Sequence, residues 1–340
     1  MSARPVTSGR FARVVTGSVL VLLAGLVVAA SVGAEPVDVP GVLAGGGSAV
    51  ERTILLELRL PRVLLAALVG GALAVAGVAF QALLRNPLAE PYLLGISGGG
   101  SFGAVLAIVA LGGSAGPLLG RVPAAFAGCL AALCIVYVVA TRRGSLHPAT
   151  LLLAGVVTNA FFLAALACVQ YAATPEEAQA ILRWVMGGLS GQAPGDLPLL
   201  AVVAPAGAGY LLYESRRMDV LAFGEATARS LGVDVPALRR RVFVLTSLLT
   251  AACVAVSGPI GFVGLLVPHG VRLVVGSGHR VLVAAAFLAG AAFLPAAGAL
   301  ARVVVAPGEL PVGIVTAVVG APAFVALLLR VRVAEGGADG

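Results

Sequence analysis

The stretch VLLAALVGGALAVAGVAFQALL, Val63 to Leu84, carries one polar side chain, Gln81, and no charge. An apolar run of about 20 residues is what a helix needs to cross roughly 30 Å of hydrocarbon. Runs of the same kind lie on either side. Val14 to Val32 precedes it, and Tyr92 to Leu111, Val122 to Ala140 and Leu151 to Tyr171 follow. Beyond these come Leu197 to Leu212, Val242 to Val256, Ile260 to Val275, Val281 to Val305 and Val312 to Leu329. The sixth, seventh and eighth runs are short, so their limits shift by several residues. Hydrophobic residues make up 60% of the chain and charged ones 11%, with mean hydropathy +1.07. One core of a water-soluble globule could not hide that much apolar surface. The fold class is therefore all-α, a polytopic membrane protein with about ten transmembrane helices, within a range of nine to eleven.

The chain contains no lysine, so all 22 of its basic residues are arginine. Cationic loops favour the cytoplasm. With ten alternating spans, Arg4, Arg10, Arg13, Arg85, Arg142, Arg143, the Arg216 to Arg241 group, Arg280, Arg330 and Arg332 fall on one side. That reading makes residues 1–340 one transmembrane domain of the plasma membrane with both termini cytoplasmic. It has a cytoplasmic N-terminus (1–13), a cytoplasmic segment (214–240) and a cytoplasmic tail (331–340). The opposite side receives Glu35, Asp38, Glu51, Glu57, Glu176, Glu177 and Glu309, with the arginines Arg52, Arg59, Arg62, Arg121 and Arg183. Arg59 and Arg62 thus stand against the charge bias, which points to a specific role. The basic leader of the first run also suits a cleaved signal peptide, but a retained span keeps both ends with the clustered arginines. The basic balance reports topology and gives no reason to invoke nucleic acid.

Cys129, Cys134, Cys168 and Cys253 lie in apolar spans without C-x-x-C spacing, so they read as packing residues. The Gly-rich stretch Gly45 to Ser48 precedes an amphipathic run, Val50 to Leu58, expected at the outer interface. Trp184 and Tyr92 read as interfacial anchors. Arg62 through Asn86-Pro87 faintly resembles Arg241 through Pro268-His269, and the two would start from opposite sides. Inverted repeats of this kind occur in transporters; any two Ala/Val/Gly-rich helices would also look alike.

Without lysine a G-x-x-x-x-G-K-[ST] phosphate loop cannot exist, so the chain is not itself a P-loop ATPase. No carboxylate falls within the spans as drawn, which disfavours a proton-coupled carrier. His269 is the one candidate proton relay, and the three histidines are too scattered for a metal site; no resident metal or cofactor is expected. No paired carboxylates, His cluster or nucleophile group suggests an enzyme. Polar uncharged candidates for a pathway lining are Gln81, Thr158, Asn159, Gln170, Thr246, Ser247 and Thr250, which equally suit hydrogen bonds between helices. Gly224-Glu225-Ala226-Thr227-Ala228-Arg229-Ser230-Leu231-Gly232 is a short polar helix former with a glycine stop, placed outside the membrane where a partner can bind. Glu225 and Arg229, four apart, share a face there.

Taken together, these residues carry a resemblance. Arg59-Leu60-Pro61-Arg62, Gly77 with Phe80-Gln81, Arg85-Asn86-Pro87-Leu88-Ala89-Glu90-Pro91 and Leu94-Gly95-Ile96-Ser97-Gly98-Gly99 are similar to the FecCD family of ABC importer permeases. So are Leu153-Ala154-Gly155-Val156, Trp184 with Gly187-Gly188, the Gly224 to Gly232 segment, Ser257 to Leu265, Pro268-His269, His279-Arg280 and Glu309-Leu310-Pro311 with Gly313. They follow the family's order from about Leu58 to Arg330.

The resemblance implies a FecCD-type permease fold. It implies import of a ferric siderophore, haem or cobalamin, with a second permease copy or paralogue, two ATP-binding subunits and an extracytoplasmic binding protein. ATP and Mg would be used by the ATPase partner, not by this chain. By the same resemblance Gly224, Glu225, Ala228, Arg229, Leu231 and Gly232 would dock in the ATPase, and Arg59, Arg62 and Arg302 would meet glutamates of the binding protein. Asn86, Leu88, Pro148 and Ala149 would form a cytoplasmic gate, although His147-Pro148-Ala149-Thr150 lacks the small hydroxyl pair of some members. The alternative function is an ion-coupled secondary carrier built on inverted repeats.

Overall fold

The computed structural model describes residues 8–33, 35, 37–111, 120–142, 145–189 and 195–336. Arg4, Arg143, the start of the N-terminal segment (1–7) and the end of the tail (337–340) lie outside the described residues.

Every apolar run expected to span coincides with a helix. The first is α1 (Ser8–Ser31), followed by short α2 (Val39–Leu43). A capping box at Ser48 and Glu51 starts α3 (Ala49–Thr53), which passes through a π-turn (Ile54–Arg59) into α4 (Leu60–Leu84). Then come α5 (Ile96–Ala110), α6 (Val122–Ala140), a pair of two-residue strands (Thr141–Arg142 and Ser145–Leu146) and α7 (Pro148–Tyr171). The chain continues through α8 (Pro175–Val185), α9 (Asp196–Ala222), α10 (Glu225–Ser230) and α11 (Val235–Ser257). It closes with α12 (Val263–Val275), α13 (His279–Val303) and α14 (Val312–Gly336).

Seven helices among the described residues are long and apolar enough to cross a membrane, by length and composition. The third, eighth and tenth runs correspond to shorter apolar helices, Ile96–Ala110, Val263–Val275 and Val312–Ala326. The sixth and seventh runs, read as short, belong to helices of 27 and 23 residues. Hydropathy stops early there because Glu214, Arg216, Arg217 and Asp219 on α9 and Arg239 to Arg241 on α11 continue the helices as charged ends. The segment expected at 214–240 therefore has only residues 223–234 outside these two helices, with α10 in the middle.

The long helix α4 is the axis of the bundle. Its side chains are buried almost all round, and it packs on α9, α11, α12 and α13. Lipid supplies no hydrophobic drive between helices, so such contacts rest on close backbone approach. At Gly70 a Cβ would strike the Gly290 carbonyl of α13, and at Gly77 the Gly264 carbonyl of α12. The helix α1 lies outermost on α13 with Leu20, Val21 and Val28 exposed, while α5, α6 and α7 form a second group joined to the axis through α11.

Between α11 and α12 the chain is not helical. Residues 258–262 run through the protein interior, where Ile260 is fully buried. Irregular backbone at such depth must be hydrogen-bonded by protein. The Ile260 N–H donates to the Tyr92 hydroxyl at 2.7 Å and the Phe262 N–H donates to the Glu90 carboxylate. Phe262 adopts φ +68, a strained conformation for an aromatic residue. Tyr92 is thus an interior tether, not the expected interfacial anchor. Trp184 is likewise buried, with the Arg121 guanidinium 4.8 Å from its ring centre.

Candidate functional sites at the two ends of the bundle

One end of the bundle carries α10. Its N-cap, Gly224, has φ +115 and Gly232 beyond its end has φ +80, conformations that favour glycine and cut the helix to a turn and a half. Ala228 is fully buried against the bundle, while Ala226, Thr227, Arg229 and Ser230 are exposed. Phe223 and Leu231, on either side, are 77% and 65% exposed. Two large exposed apolar side chains thus flank the polar helix.

Glu225 does more than pair with Arg229 at 3.3 Å. It also accepts from Arg239 of α11 at 2.6 Å, and Arg239, whose side chain is 3% exposed, reaches the Leu146 carbonyl at 3.5 Å. Leu146 ends the small hairpin just before Pro148, so one buried arginine joins α10 to the start of α7. Arg239 was not singled out in the sequence. Its helical register with Val235, Leu238, Val242 and Thr246, all buried, is the signal that turns it inward.

The expected gate residues lie at this same end on two turns. Asn86 follows α4, whose C-cap Arg85 has φ +50, and the Asn86 side chain accepts from the Leu88 N–H at 2.9 Å. Pro148 and Ala149 open α7 with His147 as N-cap. No hydrogen bond among the described residues joins the two turns.

The lining candidates differ in burial. Gln81, Thr158 and Thr246 are buried within the protomer, Asn159 is half-buried and Gln170 is exposed near the far end of α7. Gln81 bridges two segments of α12, since its carboxamide oxygen accepts from Arg272 at 2.9 Å and its nitrogen donates to the Gly264 carbonyl at 3.4 Å. Thr158 and Asn159 pack against Gly95 and Gly98 at the start of α5.

The other end holds Arg59, Arg62 and Arg302 close together. Arg59 is buried and donates to the carbonyls of Ala30, Ser31 and Glu35, and Arg302 donates to those of Ala29 and Val32. Four of these carbonyls are the unpaired ones at the C-terminus of α1, so two arginines cap that helix and meet its negative dipole end. Arg62 pairs with Glu309.

Two carboxylates that lie just outside the spans as drawn are nonetheless enclosed by protein. Glu214 of α9 is 1% exposed, and Glu90 sits inside the bundle. Both are engaged: Glu214 binds Arg217 at 2.7 Å, Arg241 at 3.2 Å and the Tyr210 hydroxyl, and Glu90 holds the Phe262 N–H.

An apolar helical bundle whose polar groups serve helix ends and loop tethers is the architecture of a multi-pass membrane protein. Residues 18–330 match the FecCD transport family. The cobalamin import system permease protein BtuC of Halobacterium salinarum is 43% identical, with 82% of this chain and 73% of that protein covered. The hemin transport system permease protein HmuU of Yersinia pestis is also 43% identical, covering 82% and 84%. A solved metal-chelate type ABC transporter in an inward-facing conformation matches with TM-score 0.82 at 30% identity, over 94% of this chain and 99% of its own. The chain belongs to the FecCD transport family, as an ABC transporter permease.

Proposed function

We propose that the chain forms the path of an importer that carries a ferric siderophore, haem or cobalamin from an extracytoplasmic binding protein into the cytoplasm. Relatives named for cobalamin, hemin and, in Escherichia coli, Fe(3+) dicitrate support this class of cargo, since each is a metal complex. The permease works as a dimer, with a second copy or a paralogue, and two ATP-binding subunits hydrolyse Mg-ATP. The α10 end faces the cytoplasm with both termini, and α10 docks in the ATPase through Phe223, Arg229 and Leu231. Asn86, Leu88, Pro148 and Ala149 gate the cytoplasmic exit. The binding protein docks at the opposite end, where Arg62, paired with Glu309, stands beside Arg59 and Arg302. The observation that carries this reading is the short α10 helix, anchored inward by Glu225 and Arg239 and flanked outward by two exposed apolar side chains.

Reconstitution tests it. Proteoliposomes holding the permease with its ATPase and binding protein should take up one of the three cargo classes only with ATP, and a protonophore should leave uptake unchanged. Uptake by the chain alone, lost when a proton gradient collapses, would establish the ion-coupled alternative instead.

A further inference from the structure

At the end of α9 that leads into α10, a surface cavity of about 550 Å³ is lined by Gly209, Leu212, Tyr213, Arg216, Arg217 and Arg280. Its charges are unequal in their commitments. Arg217 is held by the buried Glu214 and lies 5.3 Å from the Tyr213 ring centre. Arg216 is exposed, and Arg280 lies 5.6 Å from the Phe11 ring of α1. Neither Arg216 nor Arg280 has a carboxylate within ion-pair distance among the described residues. Leading away from this mouth along α9, an exposed stripe at helical spacing consists of Tyr213, Gly209, Ala206 and Val202. The absence of a side chain at Gly209 leaves the groove open beside the helix, with nothing within 4 Å of where a Cβ would stand.

We propose that this groove binds an anionic phospholipid, its phosphate held between Arg216 and Arg280 and an acyl chain laid along the Gly209 stripe. Guanidinium groups suit phosphate because their planar fork donates two hydrogen bonds at once. Basic pockets between spanning helices at the cytoplasmic boundary are where such headgroups bind. An acidic protein surface would satisfy the arginines but would leave the apolar stripe above them unused, whereas a lipid matches charge and stripe together. The leaflet follows from the orientation proposed above; binding itself does not, and the experiment reads binding.

The test is native mass spectrometry of the permease released from nanodiscs containing equal phosphatidylglycerol and phosphatidylcholine. Phosphatidylglycerol should be retained in preference, and millimolar inorganic phosphate should not displace it. Each arginine near an anionic headgroup contributes about fivefold, or about 1 kcal/mol. Arg216→Gln with Arg280→Gln should therefore weaken retention about thirtyfold. Gly209→Leu should also lower retention with every charge in place, and it carries the test if the double variant does not fold. Equal retention of both lipids, no change in either variant, or displacement by inorganic phosphate overturns the proposal. So does a double variant that keeps the lipid but loses the ATPase, since the patch would then be a protein contact.

Discussion

Replacing Glu225 by alanine and Arg239 by methionine removes the same ion pair, yet the two changes should differ in cost. Glu225 is 37% exposed and Arg239 is 3% exposed. Removing Glu225 strands a buried guanidinium with little beyond the Leu146 carbonyl at 3.5 Å. Two unit charges about 4 Å apart attract by about 4 kcal/mol at an effective dielectric near 20. Water at the half-open Glu225 screens part of this, leaving about 2 kcal/mol for Glu225→Ala. Arg239→Met substitutes an apolar chain for the buried cation and lets Glu225 hydrate, at about 1 kcal/mol or less. Size-exclusion after a thermal ramp on purified permease should place Glu225→Ala roughly 2–4 °C below the parent, with Arg239→Met between them. In the reconstituted transporter both variants should hydrolyse ATP with less cargo moved per ATP, because α10 is no longer tied to the start of α7. If Arg239→Met were the more destabilising of the two, or if both transported normally, the link assigned to Arg239 would be wrong.

The other expectations concern the interior tether and the far end. Glu90→Ala leaves the Phe262 N–H without its acceptor and should cost about 1–3 kcal/mol, while Glu90→Gln, which keeps an acceptor oxygen, should lose less; equal thermal stability of the two variants would remove Glu90 from that role. Arg62→Glu sets like charges at Arg62 and Glu309 and should abolish binding-protein docking, measured as affinity for permease in nanodiscs, whereas adding Glu309→Arg should restore the fold signal in the same thermal assay. Unchanged affinity in Arg62→Glu would move the docking site elsewhere.

The apolar cores of the helices were legible because Val63 to Leu84 and its counterparts have no competing reading at their length. The ends were less so. Charged residues that continue α9 and α11 look like loop to a hydropathy count, and the helices run on because Glu214, Arg217 and Arg241 neutralise one another. The helix α8 went unread although Thr174 and Glu177 spell its capping box. Arg59 stood out as a cation in an unfavoured place and Arg302 only through the family resemblance, but their partners are main-chain carbonyls of α1, which leave no trace in side-chain composition. The Tyr92 and Glu90 tethers join residues 168 and 172 positions apart, and local pattern carries nothing about such pairs.

The contacts that sequence pattern missed share a direction. Glu225 joins α10 to Arg239, Arg239 joins α11 to the hairpin before Pro148, and α11 then runs 23 residues to Ser257, where the irregular 258–262 segment meets Glu90 and Tyr92. One rigid helix therefore touches the proposed ATPase contact, the proposed exit turn and the interior tether. Contiguity alone does not establish coupling. It does specify where coupling must be lost: a change at Arg239 acts on both α10 and α7, whereas a change at Glu90 leaves both untouched and alters only how 258–262 packs on the turn before α5 and on α14. Loss of cargo moved per ATP in the Arg239 variant, with normal stoichiometry in Glu90→Gln, would locate transmission at the α10 end; equal losses would place it along the whole of α11.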